Sequence, residues 1–155
     1  GCGAGVAGFA GDVTVASDFV RARRGNGGGD DPAAVHTALE KATGELAWSD
    51  DARTRIMFLL LDAPPHHRND VKVSLQKSIQ KAMAMGIKII PIMASGIDKE
   101  TEFLMRFFAM TTGGTYVFIT DHSGVGNSHL EPTVGQYQVE FLNNLMVRLI
   151  NKYSE

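Results

Sequence analysis

The apolar run Ile56 to Leu61 stops abruptly at Asp62-Ala-Pro-Pro, and few architectures accommodate such a segment. It is too short to stand as a free helix. Its residues are apolar at every position rather than at alternate ones, so it predicts a strand, Arg55 to Leu61, buried on both faces. Strands of that kind belong to parallel sheets whose faces are covered by helices, and a central position is expected for this one. Ile87 to Met93 repeats the pattern and predicts a second buried strand. Between the two, Asp70 opens an amphipathic helix reaching about Met85, with Val71, Leu75, Ile79, Ala82 and Met83 on one face and lysines on the other. Gly86 supplies its C-cap.

The same reading extends along the chain. Asp31 is placed to N-cap a helix with Pro32 at its first position, and Val35, Leu39, Ala42 and Leu46 recur at helical spacing. Lys99 to Met110 predicts a third helix, Thr115 to Ile119 a third strand after the Gly113-Gly114 turn, and Val139 to Tyr153 a closing helix. In that last helix Phe141, Leu142, Leu145, Leu149 and Ile150 are expected to face inward. The alternation of strand and helix, joined by right-handed crossovers, predicts a doubly wound α/β domain of Rossmann-like form: a mainly parallel sheet with helices on both faces. The N-terminal segment reads differently. Nine of the 17 glycines fall within the first 29 residues, which leaves few side chains there to anchor a core. Val13 to Val20 is its best strand candidate, and Arg21 to Gly29 reads as a loop.

Size and charge narrow the function classes. With 155 residues, 44% of them hydrophobic, the chain is expected to form one domain over residues 1–155, with residues 1–26 as a poorly defined leading segment. The 15 Lys and Arg residues are scattered and the net charge is -2, so no footprint for a nucleic-acid backbone is visible. No apolar run approaches the roughly 20 residues that a membrane span needs. A lone cysteine, Cys2, cannot make an internal disulfide, so cysteine usage does not identify the compartment. Because the chain starts at Gly1 rather than Met, it reads as a fragment or a processed product.

Several motifs lose to simpler explanations. Gly3-Ala-Gly5-Val-Ala-Gly8 spells a dinucleotide fingerprint but has no strand before it. Gly25-Asn-Gly-Gly-Gly29 resembles a phosphate loop, yet Asp30 and Asp31 stand where a phosphate-gripping Lys and hydroxyl are required, and carboxylates repel phosphate. No Gly-x-Ser-x-Gly elbow occurs, so nucleophilic catalysis has no assembled apparatus. The methionines Met83, Met85, Met93, Met105 and Met110 read as core packing.

Taken in order, Gly27-Gly-Gly-Asp30-Asp31-Pro32, Phe58-Leu-Leu-Leu-Asp62-Ala-Pro-Pro-His66, Glu102-Phe-Leu104, Thr112-Gly-Gly-Thr-Tyr116 and Asp121-His-Ser-Gly-Val-Gly-Asn-Ser-His-Leu-Glu-Pro132 resemble a bacterial-type von Willebrand factor A domain. Each piece is weakly specific; the order carries the resemblance. Domains of this family hold a divalent cation at the carboxyl ends of the strands, through an Asp-x-Ser-x-Ser motif after the first strand, a loop Thr, and an Asp after the fourth strand. The resemblance implies Asp62 as that last ligand and places Asp30 where the family has Thr. It also implies Gly29, Asp31 and His66 as ligand-binding neighbours. The chain departs from the family in lacking Asp-x-Ser-x-Ser altogether, as if truncated at the N-terminus. The closest approach, Asp121-His-Ser123-Gly-Val125, follows the wrong strand and ends in Val. Two carboxylates with water would hold Mg2+, Mn2+ or Ca2+ weakly or not at all. The missing first strand leaves a gap in the sheet, and the segment around Val13 to Ala16 is the expected occupant.

Plain chemistry offers competing roles for the same residues. Asp30, ahead of a proline-led helix, is also a natural cap. His66 is suited to fixing the loop by hydrogen bonds and His67 to facing solvent. His122 and His129 flank a glycine-rich surface turn. The reading that follows is a non-enzymatic, adhesion-type module binding a protein or acidic ligand at the carboxyl edge of the sheet, through a degenerate metal-ion-dependent adhesion site. By resemblance its setting is extracellular or the cell envelope. The alternatives are a metal-assisted α/β hydrolase using Asp62 with His66 or His67, and a truncated scaffold without a working site.

Overall fold

A computed structural model of the chain describes residues 6–22, 34–93, 97–119 and 140–155. In chain order its elements are α1 (Val13–Ala22), α2 (Val35–Gly44), β1 (Arg55–Leu61), α3 (Asn69–Ala84), β2 (Ile87–Met93), α4 (Lys99–Thr112), β3 (Val117–Phe118) and α5 (Leu142–Ser154). The three strands form a parallel sheet in the order β1-β2-β3, so the chain is of mixed α/β construction. Both long strands have the bounds that their apolar runs predict.

β2, rather than β1, is the central strand of the described sheet. It pairs with β1 from Arg55↔Ile87 to Leu61↔Met93 and with β3 at Ile92↔Val117 and Met93↔Phe118. Its Ile87, Ile89, Ile90, Ile92 and Met93 are all buried. β1 has one strand neighbour among the described residues, and its Leu60 is 63% exposed. The expectation that β1 would be buried on both faces therefore holds for Leu61 but not for Leu60.

A proline in a central strand removes a ladder hydrogen bond unless its nitrogen faces an unpaired stretch. The Ile89 amide turns away from β1 and donates to the Thr112 hydroxyl at 2.9 Å. The Met93 carbonyl, on the same side, accepts from the Ile119 amide at 2.8 Å. Pro91 lies between them with the same orientation, one residue before the pairing with β3 begins at Ile92. Its missing N–H thus falls where β3 has no residue to receive it.

Two apolar clusters lie on the two sides of the sheet. Val35 and Leu39 of α2, Val71, Leu75, Ile79 and Ala82 of α3, and Met105 and Phe108 of α4 meet Ile87, Ile89 and Met93 on one side. Ile90, Ile92 and Val117 meet Leu149 of α5 on the other, with Leu142, Leu145, Met146 and Tyr153 packed around them. Each fully buried aliphatic or aromatic side chain contributes about 1.5–3 kcal/mol relative to leaving it in water. The inward face of α5 runs through Leu142, Leu145, Leu149 and Tyr153. Phe141 precedes the first turn and is 69% exposed, and Ile150 lies one step round the helix at 42%, so neither faces inward as expected. Met83 and Met110, expected on buried helix faces, are likewise exposed.

The N-terminal segment corrects the sequence reading most sharply. Val13 to Val20 is not a strand but most of α1. The cause is local: Asp12 accepts a hydrogen bond from the Thr14 amide at 2.9 Å and another from its hydroxyl, which is the chemistry of a helix N-cap. The valines satisfy a helical stripe as readily as an alternating one. The segment therefore does not pair beside β1, and no residue of α1 is buried.

α4 ends at Gly113, whose φ of 68° is the left-handed conformation that glycine adopts freely. Gly114 follows with its amide on the Ala109 carbonyl at 2.8 Å. There the chain presses against β2, and a Cβ on Gly114 would overlap the Ile89 carbonyl oxygen. Gly114→Ala is expected to cost about 2–4 kcal/mol in urea unfolding, whereas Gly44→Ala, whose Cβ would meet only the end of the flexible Lys81 side chain at an ordinary contact distance, should cost well under 1 kcal/mol.

Tyr116 stands between α4 and Phe118 with the Arg106 guanidinium 4.4 Å from its ring centre. Burial, then the Glu102 carboxylate, push its phenol up to about 12 from 10.0, against the pull of Arg106. A group whose native pKa is raised contributes stability below its unfolded value and loses it as pH climbs to the native one. Stability attributable to Tyr116 should fall between about pH 10 and pH 12, and Tyr116→Phe should flatten that part of the stability profile.

Candidate functional site

Parallel strands gather all their carboxyl ends at one edge, and the helices that follow them start there. Leu61 and Met93 close β1 and β2 in register. Asp62 comes immediately after Leu61 and is exposed. The loop that follows carries His66, half-buried, and His67, and then enters α3 at Asn69. α4 starts at the same edge behind its cap, Asp98. Asp62, His66, His67, Asp98 and Glu100 thus belong to one end of the molecule. This follows from topology and not from closeness in sequence.

The charges at this edge are engaged with one another. The His67 imidazole lies 3.5 Å from Glu100 through Nδ1 and 3.9 Å from Asp98 through Nε2. Glu100 is also 3.6 Å from the Lys72 ammonium. The expectation that His67 faces solvent is half right: its side chain is 46% exposed, yet it is flanked by two carboxylates. Pairs this exposed are worth at most about 1 kcal/mol each. Arg68 forks onto Asp70 with two contacts of 3.1 Å, and these hydrogen bonds hold the Asp70 carboxyl below its ordinary value.

Asp98 has a second duty. It accepts from the Thr101 amide at 2.8 Å and from the Thr101 hydroxyl at 3.1 Å, capping α4. Partial burial works to raise its carboxyl, but those bonds and the nearby His67 outweigh it, and the group sits below 3.8. The pattern Asp98-x-x-Thr101 ahead of an apolar run is a legible capping signal. Its proximity to His67 depends on the parallel pairing of β1 with β2.

Between α3 and α4 runs a groove of about 620 Å3. His66 and His67 stand at one end, and Leu75, Ile79, Leu104, Phe107 and Phe108 are among its apolar lining. Sequence reasoning missed it, although α4 carries apolar residues on nearly every side, from Phe103 through Met110. A helix of that kind is normally covered all round.

The fit to a cation can be judged from the donors. Among the described residues no three His, Cys, Asp or Glu side chains gather closely enough to hold a metal ion. Asp62 offers one carboxylate toward the roughly six oxygens that Mg2+ takes. The described residues do not by themselves make a cation site. Asp30, its expected companion, and Gly29 and Asp31 lie outside the described residues, as do His122 and His129. No described helix is long and apolar enough to cross a membrane. Set against known proteins, the chain matches no family model and no curated sequence.

Asp98→Ala is expected to cost about 1 kcal/mol by loss of the cap. Since the carboxyl is depressed in the fold, its contribution is complete above its ordinary value and disappears as pH falls through the native one. Urea unfolding at neutral pH should therefore separate variant and wild type, and the gap should close in strong acid.

Proposed function

We propose that this chain is a non-enzymatic binding module of the von Willebrand factor A kind, doubly wound and Rossmann-like, that takes a protein or acidic ligand at the carboxyl edge of its sheet. The observation carrying this reading is the exposed carboxylate of Asp62, directly after the last residue of β1, on the edge where α3 and α4 begin. In parallel α/β sheets that edge is where ligands bind, because loops there vary without disturbing the core and helix N-termini face outward. The resemblance adds a cation, Mg2+, Mn2+ or Ca2+, shared by Asp62 and Asp30 and completed by an acidic group of the partner. With the Asp-x-Ser-x-Ser ligands missing, such a cation is held weakly until the partner arrives.

Calorimetric titration of Mg2+ and of Mn2+ into wild type and Asp62→Ala tests the metal role. A weak heat with a dissociation constant of roughly 1 mM in wild type, lost in the variant, supports it. Flat traces for both proteins remove it. Chelator-sensitive turnover in a hydrolase screen would instead favour the metal-assisted α/β hydrolase built on Asp62 and the neighbouring histidines.

A further inference from the structure

We infer that the groove between α3 and α4 is a binding site for an uncharged, single-chain amphiphile, whose apolar body lies between the two helices and whose hydroxyl head meets His66. Shape is the first argument. The groove holds about 620 Å3, within the range of roughly 300–1,000 Å3 that small-molecule sites occupy. Its α3 wall runs from Lys72 to Met83 and its α4 wall from Glu100 to Thr111. Each wall spans eleven steps of helical rise, about 16 Å. That volume drawn out over that length is a slot, which an extended hydrocarbon chain fills and a compact ligand does not.

The walls supply the affinity. Leu75 and Ile79 of α3 and Phe108 of α4 line the groove from the buried side. Met83 and Phe107 stand along it at 49% and 42% exposure, and Phe103 lies further out at 71%. Apolar side chains that are this wet gain from being covered. Each methylene that a ligand buries against them adds about 0.8 kcal/mol, a factor of about four in affinity.

The polar end of the groove selects the head. Glu100 already faces the Lys72 ammonium at 3.6 Å and His67 at 3.5 Å, and Asp98 faces His67 at 3.9 Å while capping α4. These charges answer one another. A carboxylate head placed there meets Glu100, and an ammonium head competes with Lys72 for it, so either gives up hydration without gaining a counter-charge of its own. His66 differs from them. It lines the same end, is half-buried, and has no hydrogen bond to another described residue. A neutral imidazole offers one donor and one acceptor, which is the complement that a hydroxyl needs. Asp62 does not line the groove, so this site is separate from the carboxylate on which the adhesion reading rests.

Calorimetry and methionine-methyl nuclear magnetic resonance of the full chain test the proposal with decanol, decanoate and decylammonium, one tail carrying three heads. Decanol should bind and shift the Met83 methyl signal, assigned through Met83→Leu, while Met146, packed on the α5 side of the sheet, stays in place. It should bind about tenfold or more tightly than either charged analogue. Octanol, two methylenes shorter, should bind about 15-fold more weakly than decanol. His66→Ala should weaken decanol about tenfold through the lost hydrogen bond and leave the octanol-to-decanol ratio unchanged, whereas Phe107→Asp, at an exposed position, should weaken both alcohols about 100-fold. A Met83 signal that no probe moves overturns the proposal, as does a charged probe that binds as tightly as decanol. So does a Met83 signal that moves with protein concentration alone, because a second copy then fills the groove.

Discussion

The parallel pairing of β1 with β2 is the constraint on which the remaining structure hangs. Seven residue pairs, from Arg55↔Ile87 to Leu61↔Met93, lock two strands that cannot be exposed without wetting Ile87, Ile89, Ile90 and Ile92. Parallel strands cannot be joined by a tight turn, so a crossover is obligatory, and α3 serves as one. Its apolar line, Val71, Leu75, Ile79 and Ala82, then has the sheet to lie on. The α4 crossover to β3 repeats the arrangement. Thr112 and Gly114 fasten its end to Ile89, one through a hydrogen bond and the other through the absence of a side chain. The register also accounts for Pro91, whose nitrogen faces the one stretch of β2 that β3 does not reach.

The same pairing assembles the carboxyl edge. Asp62 and Asp98 are far apart in sequence, yet each follows a strand whose end is in register with the other's. Helices returning antiparallel to those strands must begin there too, which brings Glu100 to both His67 and Lys72. The edge is therefore a polar surface produced by the topology of an apolar sheet. The groove between α3 and α4 is its apolar continuation, with His66 and His67 at the junction. An exposed strand-end carboxylate and an apolar helical groove are different kinds of surface, and the described residues present both.

Legibility followed the strength of local patterning. Continuous apolar runs cannot be solvated, so Arg55–Leu61 and Ile87–Met93 could be read to the residue. Long amphipathic helices came within a few residues at their ends, and the left-handed glycines Gly86 and Gly113 marked where two of them stop. Val13 to Val20 misled because valines suit a strand face and a helical stripe alike, and the deciding signal was the single capping aspartate before them. At the site, Asp62 and His66 were legible as residues beyond a strand end. The pairing of His67 with Asp98 and Glu100 was not, because it depends on which strands are neighbours. Apolar residues were assigned to the core from type and helical spacing, and Met83, Met110 and Phe141 show the limit of that inference.

What the amino-acid order determined by itself is the set of segments and their kind: which runs must be hidden, which helices have an apolar side, and where glycine or a capping acid ends one element and starts the next. Those properties arise from hydrogen bonds and side-chain periodicity within a few residues. Only the tertiary structure decided that β2 rather than β1 is the central described strand, that the charged loops share an edge, and that Phe108 of α4 is buried while Phe103 and Met110 are exposed. Burial belongs to pairs of surfaces, and no single segment specifies what will lie against it.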